Sequence, residues 1–173
     1  MLVRITIFIY LAAISLSFAH GPKKKSVKAH EHGVGILNIA QEGKNLLFEF
    51  EVPGFDIVGF EYKAESESDI QKVNDSINTL KNYVNLVKPS GSANCSEMES
   101  SAKVIYEGNH SEFISSYKLN CENISDLKII YIKYFKNFPL SKKLNVKIFG
   151  NDNKTAYVID KKKKMINVKG FFK

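Results

Sequence analysis

Alternation of apolar and polar side chains recurs along this 173-residue chain and constrains its fold more than any other feature. A period of two residues is typical of a β-strand that turns one face towards a core. In residues 46–52 the apolar face consists of Leu46, Phe48, Phe50 and Val52. The chain is therefore expected to be rich in strands that each bury one side.

These strands are joined by recognisable turns. Residues 35–40 and 46–52 flank the sequence Glu-Gly-Lys-Asn at 42–45, which predicts a β-hairpin. Residues 55–62 are interpreted as an irregular apolar connector, and residues 134–138 before Pro139 as a short helical turn. Further strands are predicted at 103–107, 112–121, 127–132, 144–148, 155–159 and 166–168.

One segment has the period of a helix instead. Apolar residues repeat at spacings of three and four, Ser68 and Gln71 form a capping-box pattern, and Pro89 is expected to end the helix. The apolar stripe consists of Ile70, Val73, Ile77, Leu80, Val84 and Val87. The predicted fold class is α+β: an antiparallel β-sheet with one long amphipathic helix packed on it.

The N-terminus has the pattern of a secretory signal. Arg4 precedes an uncharged, mostly apolar stretch at 5–18, and Ser17 and Ala19 provide the small residues of a cleavage site. We therefore expect residues 1–19 to be a cleaved signal peptide, 20–29 a flexible Lys-rich arm, and 30–173 a single α+β metal-binding domain. The apolar stretch is too short to span a bilayer, so no membrane span is expected in the mature chain.

Composition argues against two broad functions. The chain carries a net charge of +7, but Arg4 is the one arginine among its 25 basic residues, whereas nucleic-acid readout favours the planar arginine fork. No nucleic-acid partner is therefore expected. The familiar enzyme motifs, including the phosphate-binding loop and the HExxH zinc motif, are absent from the sequence, and the chain is predicted not to be an enzyme.

Cys95 and Cys121 are the only cysteines. An exported chain with two cysteines usually joins them, so a disulfide is predicted, although two free thiols acting as soft metal ligands are the alternative. A bridge at these positions is expected to fix His110 and Glu112 relative to the sheet.

The histidines supply the candidate metal ligands. His30 and His32 are two residues apart, as are His110 and Glu112, and on an extended backbone each pair projects to one face. Imidazoles and a carboxylate suit tetrahedral Zn²⁺, and copper(II) or nickel(II) accept the same donors. Two alternatives stay open: an exported structural or interaction domain with incidental histidines, and a metal-dependent hydrolase with Glu51 or Glu61 as its base.

Four motifs follow one another along the chain: Ala29-His-Glu-His-Gly33, the segment from Phe48 to Glu61 with its PGFDIVGFE sequence, His110-Ser-Glu-Phe113 and Phe135-Lys-Asn-Phe-Pro139. In this order they resemble the ZrgA-type zinc-regulated periplasmic proteins of bacteria. The resemblance implies a non-enzymatic periplasmic zinc-binding protein that assists zinc acquisition or buffers zinc. A zinc uptake system of the cell envelope is the implied partner.

The resemblance also implies a ligand set. His30, His32, His110 and Glu112 match the motifs, and Glu51, Asp56 and Glu61 match as further acidic candidates. The chain departs from the pattern at Tyr62, where a histidine is expected, and it lacks a long His-rich loop.

Overall fold

A computed structural model describes residues 31–173. The predicted signal peptide, the predicted arm and His30 lie outside the described residues. The elements, in chain order, are β1 (Val34–Glu42), β2 (Asn45–Pro53), α1 (Gly54–Val58), α2 (Glu67–Lys81), β3 (Val87–Pro89), β4 (Cys95–Glu107), β5 (His110–Cys121), β6 (Ile129–Ile132), α3 (Tyr134–Asn137), β7 (Lys143–Phe149), β8 (Lys154–Asp160) and β9 (Met165–Asn167). Within this part of the chain, no helix is long and apolar enough to cross a membrane.

The strands form two sheets. The larger has the order β4-β5-β2-β1-β7-β8 and the smaller the order β3-β6-β9. The expectation of an antiparallel sheet is wrong at one place, because β1 and β7 are parallel, with Val34 opposite Lys143 and Ala40 opposite Phe149. The larger sheet is therefore mixed, and strands rather than helices dominate the fold.

The predicted hairpin is confirmed as β1 and β2, joined by a tight turn in which Gly43 has a φ of +59°. The apolar face of β2 packs into the core together with the same face of β5. Across these two strands, Phe48 is opposite Tyr117 and Val52 is opposite Phe113, and all four side chains are buried. Burial of such aromatic side chains supplies much of the hydrophobic stabilisation of the core.

The prediction of one long amphipathic helix up to Pro89 is wrong. Helix α2 begins two residues earlier than expected, where the Ser66 hydroxyl accepts a hydrogen bond from Asp69 N–H, and it ends at Lys81. Only Val73 and Leu80 of this helix are buried. Val84 belongs to a short 3-10 turn and Val87 to β3, so the apolar period continues through three different elements.

Two more local differences bear on the candidate site. The expected connector after β2 contains the short helix α1, and the strand predicted at 103–107 is the end of the longer strand β4.

The predicted disulfide between Cys95 and Cys121 is present, and it joins residues that are directly opposite in the β4–β5 ladder.

Candidate metal site

The predicted ligands within residues 31–173 lie towards one end of the larger sheet. At this end β1 and β7 begin, β2 ends opposite Glu112, and the turn between β4 and β5 leads into His110. Parallel pairing of β1 with β7 and antiparallel pairing of β2 with β5 therefore place distant parts of the chain side by side.

The Glu61 carboxylate links the two described histidines. His110 Nδ1 lies 2.8 Å from Glu61 Oε2, and His32 Nε2 lies 3.2 Å from Glu61 Oε1. The Glu61 side chain is only 12% exposed, whereas those of His32 and His110 are 52% and 63% exposed. Two imidazoles thus flank one sheltered carboxylate at the protein surface.

His32 lies in a turn rather than on a strand. The N–H of Val34 donates to the carbonyl oxygen of Glu31 across this turn, and β1 begins only at Val34. The His32 ring stacks on the Phe55 ring of α1, with centroids 4.8 Å apart and an interplanar angle of 9°. The expectation of an extended segment carrying His32 is therefore wrong, and the stacking contact orients the imidazole instead.

Gly33 anchors that turn from both sides. Its N–H donates to Asp56 Oδ1 at 2.6 Å, and its carbonyl oxygen accepts from the N–H groups of Lys142 and Lys143. Gly33 has a φ of +89°, a conformation that side chains with a Cβ rarely adopt. The backbone next to His32 is thus fixed to α1 and to the start of β7.

Asp56 contributes to the site from within the protein. The residue is fully buried, and this burial raises the pKa of its carboxyl above the usual value, although the hydrogen bond from Gly33 N–H acts in the opposite direction. The carboxylate accepts the Gly33 N–H, and electrostatic attraction by the nearby His32 imidazole also lowers the pKa of Asp56, by less than burial raises it. Of the acidic candidates, Asp56 therefore supports the His32 turn, and Glu61 contacts the histidines.

A close backbone approach positions the segment that leads to Glu61. A Cβ at Gly54 would overlap the Ser111 hydroxyl and lie 3.0 Å from the carbonyl oxygen of Phe60. Glycine at this position lets α1 pack directly against β5. The segment from Gly54 to Glu61 is consequently held beside the strand that carries His110.

The acidic candidates Glu112 and Glu51 lie on two neighbouring strands of the larger sheet. Glu112 is buried in β5, and Glu51 is half-buried in β2. Glu51 is opposite Ile114, so strand alternation places Glu51, Glu112 and His110 on the same face of the sheet.

The disulfide does not act on this site as expected. Cys121 ends the strand that His110 begins, and 11 residues of extended chain separate the two positions by about 36 Å at 3.3 Å per residue. The expectation that the bridge fixes His110 and Glu112 is therefore wrong.

The donor groups at this end of the sheet are of the kinds that bind zinc, although residues 31–173 do not by themselves form a complete metal site. Among residues 31–173, no three His, Cys, Asp or Glu side chains form a group that could hold a metal ion as they stand. Glu61 Oε1 is nevertheless buried and receives no hydrogen bond from the described residues, while His32 Nε2 lies 3.2 Å away. Imidazole nitrogens and carboxylate oxygens are common zinc ligands.

Sequence reasoning did not assign roles to two residues that shape this geometry. Phe55 stacks on His32, and Gly33 fixes the adjoining turn. A glycine directly after His-Glu-His was a usable signal for a turn at Gly33, because glycine favours positive φ. The stacking of Phe55 had no local signal, since it depends on the turn and α1 meeting in space.

Comparison with known proteins places these features in context. A family model described as ZrgA family zinc uptake protein matches residues 29–168. A search of curated proteins found no significant match. The family match includes every candidate ligand, from His30 to Glu112.

Proposed function

Because the chain belongs to the ZrgA family of zinc uptake proteins, we propose that it binds zinc in the periplasm and assists zinc acquisition or buffers zinc, without catalysing a reaction. The proposed ligands are His30, His32, His110 and Glu112. Glu61 is the first of the further acidic candidates, ahead of Glu51 and Asp56.

The convergence of two histidines on Glu61 carries this proposal. His32 precedes β1 and His110 begins β5, yet both rings contact the same carboxylate. A meeting of two imidazoles from distant parts of the sequence is unexpected if the histidines are incidental to a structural or interaction domain. The arrangement instead favours a site for a cation.

The donor chemistry supports zinc in particular. Two imidazole nitrogens and one carboxylate provide borderline and hard donors, and Zn²⁺ readily takes four such ligands in a tetrahedron. His30 adjoins the described turn and is proposed to complete the set together with Glu112. In this arrangement Glu61 either coordinates the metal or accepts a hydrogen bond from a coordinating imidazole, as second-layer carboxylates commonly do.

The remaining parts of the proposal concern the N-terminus and the cellular compartment. Residues 1–19 are proposed to be a cleaved signal peptide, residues 20–29 a flexible arm, and residues 30–173 one metal-binding domain. A disulfide in the structure agrees with an oxidising compartment, because such bridges persist mainly in exported proteins. A zinc uptake system of the cell envelope is proposed as the partner that receives the metal.

Zinc titration calorimetry on the processed protein tests this function. His32→Ala and His110→Ala are each expected to weaken zinc binding by at least about tenfold, since removal of groups in or beside a metal shell has effects of this size. His20→Ala is the matched control, because it removes a histidine from the predicted arm. Equal zinc affinity in the wild-type protein and in both site variants would contradict the proposal.

The pH dependence offers an independent check. A ligating imidazole must be neutral, so protons compete with zinc for the proposed site. Zinc affinity is therefore expected to fall as the pH is lowered through about 6.5, the range in which histidine side chains ordinarily titrate. An affinity that stays constant from neutral pH to about pH 5 would argue against histidine ligands.

A further inference from the structure

Charge is distributed very unevenly between two parts of the described chain. Residues 127–173 contain 13 lysines and only two acidic residues, whereas residues 31–126 contain seven lysines and 16 acidic residues. The candidate metal site draws its acidic groups from the earlier part. The later part, which includes α3 and strands β6 to β9, is strongly cationic.

Four of these lysines surround a cleft on the side of the smaller sheet. The cleft has a volume of about 370 Å³ and is lined by Lys133, Lys136, Lys161 and Lys164, together with Ile132 and Phe135. Ile132 and Phe135 are buried and give the cleft an apolar base. We call these four lysines the lysine face.

The charges of this face are not neutralised within the described chain. Lys161 Nζ donates to the carbonyl oxygen of Pro139 and Lys133 Nζ to that of Val84, which are uncharged acceptors. The two acidic residues of residues 127–173 have other partners. Asp152 pairs with Lys173, and Asp160 accepts the backbone N–H groups of the loop at 162–163.

Tyr131 and Met165 lie on the other side of the smaller sheet. Tyr131 of β6 is directly opposite Met165 of β9, and the Ile132 N–H donates to the carbonyl oxygen of Lys164, so Lys164 is opposite Ile132. Strand alternation therefore puts Lys164 on the side of Ile132, and it puts Tyr131 and Met165, which are 40% and 49% exposed, on the opposite side. Tyr131 is thus a control position for tests of the lysine face.

We propose that the lysine face docks the protein on an anionic lipid bilayer surface. Lysines attract anionic headgroups, while their aliphatic stems and the apolar base of the cleft at Ile132 and Phe135 suit the boundary between headgroups and acyl chains. An acidic protein would match the charge but would gain less from this apolar base.

This docking uses none of the proposed ligands and does not require zinc. The lysines of this face lie directly before α3, in α3 and between β8 and β9, whereas His32 and His110 contact Glu61. Docking would therefore hold a zinc-binding protein at a membrane without using its proposed ligands. Loss of zinc binding and loss of membrane binding are expected to be separable by mutation.

Co-sedimentation with lipid vesicles tests the proposal on protein purified from the exported fraction. Vesicles of phosphatidylcholine alone are compared with vesicles that also contain phosphatidylglycerol. Each lysine near an anionic surface strengthens binding by about fivefold. The variant with Lys133, Lys136, Lys161 and Lys164 all changed to Gln is therefore expected to lose on the order of 100-fold or more in affinity for the anionic vesicles.

The matched control removes the same charge elsewhere. It changes Lys44, Lys63, Lys81 and Lys103 to Gln, four exposed lysines on other elements, and it is expected to retain most of the binding. Tyr131→Ser, on the other side of the smaller sheet, is expected to leave this binding unchanged. Equal losses in the two quadruple variants, equal binding to both vesicle types, or binding to polyglutamate but to neither vesicle would each overturn the proposal.

Discussion

Asp56→Ala is the substitution that most specifically tests how the protein positions His32. The Asp56 carboxylate accepts the hydrogen bond of the Gly33 N–H at 2.6 Å, and both residues are buried. Without this acceptor the N–H is left unsatisfied, which costs about 1–3 kcal/mol. Asp56→Asn retains an oxygen acceptor of the same size. We therefore expect Asp56→Ala to unfold about 1–3 kcal/mol more easily than Asp56→Asn.

Urea unfolding measures this difference in the free energy of unfolding, and zinc titration of the same variants measures its effect on zinc affinity. If Asp56 positions the His32 turn, Asp56→Asn keeps zinc affinity close to wild type and Asp56→Ala reduces it. If Asp56 is itself a ligand, both variants lose affinity. Equal stability of the Ala and Asn variants would refute the role assigned to the Gly33 hydrogen bond.

The raised pKa of Asp56 also predicts a pH profile. Burial disfavours the charged carboxylate, so the folded protein holds its proton at pH values at which the unfolded chain has already lost it. The contribution of Asp56 to stability is therefore fully present below the usual pKa of 3.8 and declines as the pH rises through the higher folded value. The stability of wild type relative to Asp56→Asn should fall over this range; a rise would contradict the burial argument.

Two further predictions concern other parts of the framework. Changing both Cys95 and Cys121 to Ser should lower the free energy of unfolding by about 3.5 kcal/mol, from the chain entropy of a closed loop of this length. Zinc affinity should stay unchanged, because the bridge lies at the far end of β5, and a large loss of affinity would be inconsistent with this placement. Gly54→Ala should lower the free energy of unfolding by about 1–3 kcal/mol through overpacking, because the new Cβ overlaps the Ser111 hydroxyl. It should also weaken zinc binding by moving the segment that carries Glu61. A fully stable variant with normal zinc binding would show that this close approach is dispensable.

The features that sequence predicted well are local ones. The alternation in residues 46–52 predicted the buried face of β2, and the Gly43 turn predicted its pairing with β1. Tyr134–Asn137 forms the expected helical turn before Pro139. Each of these features depends on periodicity or on turn residues within a few positions, and the structure retains them.

The features that sequence missed depend on tertiary contacts. Parallel pairing of β1 with β7 joins segments more than 100 residues apart, and no local pattern specifies it. The apolar period from Ile70 to Val87 predicted one helix, but this period continues past the helix end at Lys81 into a 3-10 turn and a strand. An apolar stripe records which side chains face a core and does not fix the backbone that presents them.

The candidate site likewise combines features that were predicted locally with a feature that depends on tertiary contacts. His32 and His110 were recognised from their residue type and spacing, and Glu61 was one of three acidic candidates. Its contact with both imidazoles could not be derived from spacing, because it requires the turn at Gly33, helix α1 and strand β5 to meet. Glu61 therefore became the centre of the described site only once the fold was known.

Nitrogen NMR of the histidine rings during a zinc titration tests the central claim most directly. The claim is that a single zinc ion is held by histidines that converge at one end of the larger sheet. We expect the resonances of His32 Nε2 and His110 Nδ1 to shift together and to saturate at one equivalent of zinc, with His20 unaffected. Unchanged His32 and His110 resonances in the presence of excess zinc would contradict the account.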